Sequence, residues 1–262
     1  MPINIRKQAT AALLAILTLA GCSRADAPAD LSRIISGVAP EANGEKNIEW
    51  VRSQFLKAEA DGSPMAQMYN AMRTGQPDLY EKFVTVAAAE ISKGSSLFDA
   101  GAAARPIYLA RFVELIRTAS NDDILGILAL SHDQMIETIK IDPVLCVKLT
   151  RGEADKRVTS LPKEMRDREM LLMAHVMRAG EQGGPVASAE TVQTWMADFV
   201  GKHPEIVEGL QLLSLPVPTL DQARKICEAN ITLLDGFAAE EPPQRAELYR
   251  GVLATAAPPS EP

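Results

Sequence analysis

Between about residue 46 and residue 255 the apolar positions of this chain recur every three or four residues, and no convincing run alternates apolar and polar residues as a half-buried strand would. The pattern predicts an all-α fold. Start signals divide it into helices. Ser63-Pro64 sets an N-cap before a proline at the first helical position, and Gln76-Pro77, Arg105-Pro106 and Asp142-Pro143 put proline at similar starts. Ser120 with Asp123, and Thr219 with Gln222, have the capping-box spacing. Together these predict helices over 46–60, 64–74, 77–93, 106–118, 121–140, 143–150, 161–180, 188–201, 204–213, 220–237 and 243–255. The links are mostly short, so about ten antiparallel helices should pack as an irregular bundle or a short array.

Polar interruptions organise the rest. Arg151-Gly-Glu-Ala-Asp-Lys-Arg157 is the most polar interior run, and it marks 151–160 as the place for a subdomain boundary or a long exposed loop. The glycines of Gly180-Glu-Gln-Gly-Gly184, ahead of Pro185, fit a helix C-cap and turn. The segment Ala58–Gly75 resembles one unit of the Sel1-like and tetratricopeptide repeats, but it does not recur at a fixed period. A solenoid needs at least three stacked units, so this is read as a single helical hairpin.

The amino-terminal pattern differs in kind. Behind Arg6 and Lys7 runs Ala11-Ala-Leu-Leu-Ala-Ile-Leu-Thr-Leu-Ala-Gly21, which has the order of a secretory leader and is too short to span a bilayer permanently. Leu19-Ala20-Gly21-Cys22 follows as a unit. Over residues 1–22 the chain resembles the bacterial lipoproteins, whose lipobox is cut before the cysteine once its thiol carries a diacylglycerol. The resemblance implies a leader over 1–21 and lipid attachment at Cys22. Ser23, standing where an aspartate is the usual inner-membrane retention signal, implies the outer membrane, with the protein facing the periplasm. Residues 22–45 are rich in Ala, Pro, Asp and Ser and read as a tether, whose reach over some 20 residues is roughly 25 Å. The polar, proline-rich end over 256–262 should not pack.

Charge narrows the partners. The whole chain has a formal charge of −7, and loss of Arg6 and Lys7 with the leader leaves 25 basic against 34 acidic residues, a charge of −9. Such an excess argues against nucleic acid or an anionic membrane as the main partner, since both require clustered Lys and Arg. Membrane contact is therefore expected through the acyl anchor only. Once Cys22 is lipidated, Cys146 and Cys227 remain as an even pair, each on an inward-looking stripe. A bond between them would close a loop of about 80 residues and stabilise by roughly 4 kcal/mol. Two separately buried thiols are the alternative.

Residues that could carry chemistry are few. None of the three histidines lies three residues after a glutamate, and neither a Cys-x-x-Cys nor a His pair at i and i+4 occurs, so no metal site and no cofactor is expected. His132 shares a stripe with Leu125, Leu128, Ile136 and Ile139, beside Asp133, which makes it a weak candidate base. A lone inward histidine bonded to a neighbouring carbonyl or side chain explains it better. His175 is read in the same way, and His203 before Pro204 as the mark of a helix start. Ser160-Leu-Pro-Lys163 matches the Ser-x-x-Lys of penicillin-recognising enzymes, but no Lys-Thr-Gly accompanies it, and Ser160 reads better as an N-cap. Methionine stripes at 65, 68, 72 and at 170, 173, 177 suit soft Cu(I) or, more simply, helix packing.

The expectation favours a binding protein over an enzyme, one whose acidic helical domain meets a protein partner with a basic patch. In architecture alone it resembles the periplasmic lipoprotein immunity proteins that neutralise secreted toxins. A peptidoglycan or lipid hydrolase using His132 or Ser160, and an accessory subunit of envelope assembly or transport, are the alternatives.

Overall fold

The computed structural model describes residues 44–256 other than 61, 152 and 154. The leader, the lipobox with Cys22, nearly all of the tether and the tail beyond 256 lie outside the described residues. Eleven α-helices and one 3-10 helix follow one another, and no strand occurs among the described residues. In chain order they are α1 (Gly44–Glu59), α2 (Pro64–Gly75), α3 (Pro77–Ser92), α4 (Leu97–Thr118), α5 (Asn121–Ile141), α6 (Pro143–Thr150), the 3-10 helix Lys156–Ser160, α7 (Lys163–Ala179), α8 (Ala189–Lys202), α9 (Ile206–Leu212), α10 (Leu220–Ala238) and α11 (Pro242–Ala256). The all-α expectation holds.

The chain divides into two compact units, and it passes between them three times. Of the described residues, 44–115 and 162–181 make an N-terminal unit, and 116–161 with 182–256 make a C-terminal unit. The divisions therefore fall inside α4, just after the 3-10 helix and just after α7, while the polar run 151–157 lies within the C-terminal unit.

In the N-terminal unit α2 packs along α7 and α3 along α1. Met68 and Met72 on α2, with Met170, Met173 and Met177 on α7, are buried, so both methionine stripes lie on helices that pack against each other. Unbranched thioethers fill the irregular space between two such surfaces well. In the same unit Phe55, Tyr69 and Phe83, one each from α1, α2 and α3, cluster at centroid separations of 4.6 to 6.1 Å. At the edge Arg73 holds Glu59 through its Nε (3.0 Å) and Nη2 (2.8 Å). The Tyr80 hydroxyl is buried, and burial pushes its pKa up to about 12, with the Glu59 charge adding to the effect.

In the C-terminal unit α10 is the common neighbour, packing on α5, α6, α9 and α11. Its start is secured by a capping box between Thr219 and Gln222, as the spacing predicts. Cys146 on α6 and Cys227 on α10 are fully buried and joined by a disulfide, 81 residues apart in sequence. Asp155 starts the 3-10 helix by accepting the Arg157 amide (3.0 Å), while the Arg157 side chain reaches both Asp155 and Asp142. Arg157, together with the Lys148 ammonium 2.9 Å away, holds the Asp155 carboxyl well below the usual carboxylate range. That network ties the start of the 3-10 helix to Asp142 and to Lys148 of α6.

Two helix starts differ from expectation. Arg105-Pro106 begins nothing: α4 starts at Leu97, and Pro106 lies inside it. Ser96 is the real cap, accepting the Asp99 amide at 3.1 Å and donating to its carboxylate at 2.6 Å. A proline within a helix removes one backbone bond, a local loss that neighbouring turns can outweigh. Nor does Ser160 cap α7. The N-cap there is Pro162, without a side-chain bond, and Ser160 closes the preceding 3-10 helix with its side chain exposed.

Candidate binding cleft

Helix α8 begins where Ser188 accepts the Thr191 amide at 3.1 Å. Val192, Met196 and Phe199, at i, i+4 and i+7, are buried and fix which face turns inward. Another face carries Glu190, Thr191, Thr194, Trp195 and Asp198. With Gln244 and Leu248 of α11 these line an open cleft of about 400 Å³.

Trp195 is the best-anchored residue of that lining. Its indole stacks on Phe199 (centroids 5.4 Å, planes 7° apart) and on Phe237 of α10 (4.5 Å). Its Nε1–H donates to the Glu240 carboxylate at 2.8 Å. Phe199 can lie on α10 because residue 236 is glycine: a Cβ there would stand 2.3 Å from the Phe199 ring. The lining thus has two carboxylates, two hydroxyls, an amide and a rigid indole, with a third carboxylate behind it. No lining residue is basic. Such a surface can accept hydrogen bonds and attract cations, and its lining includes no histidine, cysteine or serine.

Arginines hold the loops of the same unit. Arg250 on α11 is fully buried and donates to neutral groups: Nε and Nη2 to the Ala119 carbonyl (3.2 and 2.5 Å), Nη1 to the Pro185 carbonyl (3.2 Å) and Nη2 to Asn121 Oδ1 (2.9 Å). Burial lowers its pKa from the ordinary arginine value. Gly184 packs flat on the guanidinium, since a Cβ at that position would meet its carbon at 2.3 Å. Just before it, the amides of Gln182 and Gly183 donate to the Thr118 carbonyl at the end of α4. Arg151 does the same for the loop before α10, reaching the carbonyls of Leu213, Leu215 and Pro216 at 2.5 to 3.1 Å.

The histidines stand elsewhere. His132 does not face the core: its side chain keeps 29% of its surface exposed and lies between Asp235 of α10 (Nε2 to Oδ1, 3.0 Å) and Asp133 (3.7 Å). His175 is exposed on α7. Three-to-four spacing marks only a broad sector of a helix, and both rings fall at its edge. His203 ends α8 instead of starting α9; its ring packs on Phe199 (4.5 Å) and meets Glu205 at 3.1 Å. Lys163 pairs with Asp167. No group of three or more His, Cys, Asp or Glu able to hold a metal ion occurs among the described residues.

Sequence reading passed over the cleft. Its signals were present in Trp195 and Phe199 at i, i+4 and in Glu190, Thr194 and Asp198 on one stripe of α8. The partner residues on α10 and α11 lie more than 30 positions away in sequence, and no local pattern links them. Comparison with protein families, with curated proteins and with solved structures finds no match to this chain.

Proposed function

We propose that this chain is a lipid-anchored protein of the bacterial outer membrane whose helical domain binds a protein partner carrying a basic patch in the periplasm. The observation that supports the reading best is the cleft on α8 and α11, which is acidic, open and built on a fixed tryptophan. Interfaces place their strongest contacts on anchored aromatic side chains, and complementary charge raises association rate and selectivity. The leader pattern ending at Cys22 supports the address, and the acidic excess supports the partner's charge. Within this reading, the particular version is an immunity protein that neutralises a delivered toxin. The hydrolase alternative rests on His132, whose ring meets the carboxylates of Asp235 and Asp133 and lies outside the cleft lining.

Full-length protein in mild detergent, immobilised and exposed to envelope extract, should retain one dominant basic protein. Association should slow as salt rises, because charge steering is screened. Labelled palmitate should enter the wild type and not Cys22→Ser. Absence of any protein partner, together with turnover of peptidoglycan or lipid by the purified chain, would overturn the reading.

A further inference from the structure

We infer that the cleft between α8 and α11 seats a helical segment of the partner that carries two basic side chains seven residues apart, one set against Glu190 and the other against Asp198, on either side of Trp195. The inference rests on the binding reading above and specifies its chemistry.

Three observations carry it. Several glutamates of this chain are already paired with a base: Glu59 with Arg73, Glu81 with Arg52, Glu137 with Lys140, Glu208 with Lys225. Glu190 and Asp198 have no such partner among the described residues, although both line a concave surface. Second, they are eight residues apart on α8, which at 1.5 Å per residue is a separation of about 12 Å along the helix axis. Trp195 falls between them, fixed by Phe199, Phe237 and Glu240, so that one apolar contact is flanked by two charges. Third, the cleft runs between two helices, and a groove of that kind takes the ridge of a third helix. On such a helix, residues seven apart share a face and stand about 10 Å apart, a spacing that long Arg or Lys side chains extend to match the carboxylates. The hydroxyls of Thr191 and Thr194 and the Gln244 amide oxygen can accept the guanidinium N–H groups that the carboxylates leave over.

Two synthetic alanine-rich helices of equal charge provide the probe, one with arginines seven residues apart and one with arginines three apart. Titrated into the full-length protein at low salt and followed by tryptophan emission, the seven-spaced helix should bind about fivefold more tightly, since it engages both carboxylates. Glu190→Gln and Asp198→Asn should each erase that preference, with folding verified by circular dichroism. Glu49→Gln, which removes an exposed acid on α1, should leave it intact. Equal affinity for the two helices, or a preference that survives both cleft substitutions, would overturn the assignment. If the envelope partner is still retained with salt-slowed association in that case, the binding function stands and the cleft is not its seat. If the helices discriminate while no envelope partner exists, the cleft's selectivity for a dibasic helix stands, and the binding function falls together with the partner segment assigned to the cleft.

Discussion

The two units of this chain differ in what their long-range arginine contacts reach, although Arg157 of the C-terminal unit also pairs with carboxylates. In the N-terminal unit, Arg73 and Arg111 reach side-chain carboxylates near the surface, Glu59 for the first and Glu114 and Glu181 for the second. In the C-terminal unit, Arg250 and Arg151 reach backbone carbonyls in the segments that join helices. The cause lies in the connections. Links of one to four residues join α1 to α4, so few carbonyls are left without a helical partner. Segments 180–188 and 213–219 are longer, and their backbone groups need donors if they are to be covered. A cation with five N–H groups supplies several donors from one position. Both units therefore rest on apolar packing, along the methionine seam in the N-terminal unit and around α10 in the C-terminal unit, and the C-terminal unit adds a small number of long-range ties to it.

The strongest way to break this comparison is to remove the covalent tie. Replacing Cys146 and Cys227 together by alanine should cost about 4 kcal/mol in urea unfolding. Amide exchange should accelerate in α6 and α10, with α2 and α7 unaffected; uniform acceleration in all four would show that the two units do not respond separately. A smaller loss is expected from Arg250→Met, about 3 kcal/mol, because the side chain keeps its bulk while two carbonyls and Asn121 lose their donor. Arg111→Met, which breaks exposed pairs, should cost under about 1 kcal/mol. Equal costs for the two arginines would erase the distinction.

The smallest effect sharpens the comparison on the N-terminal side. The Tyr80 hydroxyl is buried with no hydrogen-bond partner among the described residues, so Tyr80→Phe should raise stability at neutral pH by about 1 kcal/mol. Its folded pKa is about 12 against an ordinary 10.0, so the folded state binds the proton more tightly. The associated stability is complete below pH 10 and is lost as pH rises towards 12. In Tyr80→Phe the alkaline loss should be shallower over that interval. Tyr249, whose pKa burial also raises, keeps part of the slope in the C-terminal unit. An unchanged alkaline profile in Tyr80→Phe would assign the whole loss to other groups.

Much of the fold was legible because helix starts are written locally. Ser63, Ser120, Asp142 and Thr219 each accept the amide that the cap spacing demands. The disulfide was legible from even count and inward stripes, since both depend on helical periodicity. Proline misled at Pro106, where its preference for a first turn gave way to a cap ten residues earlier, at Ser96. The roles of Arg250 and Arg151 were not legible, because each acts on carbonyls more than 60 residues away. The cleft failed for the same reason: one wall can be read along α8, and the seating of its tryptophan depends on α10.

The placement of α7 has a consequence for the order of synthesis. The helix that covers the methionine face of α2 ends at Ala179, while α2 itself ends at Gly75. A ribosome working at 5–20 residues per second needs on the order of 5–20 s to make the intervening chain. Throughout that interval Met68 and Met72 lack their final cover, as an exposed apolar strip on a nascent polypeptide. The N-terminal unit begins first along the chain and can close only once α7 is available.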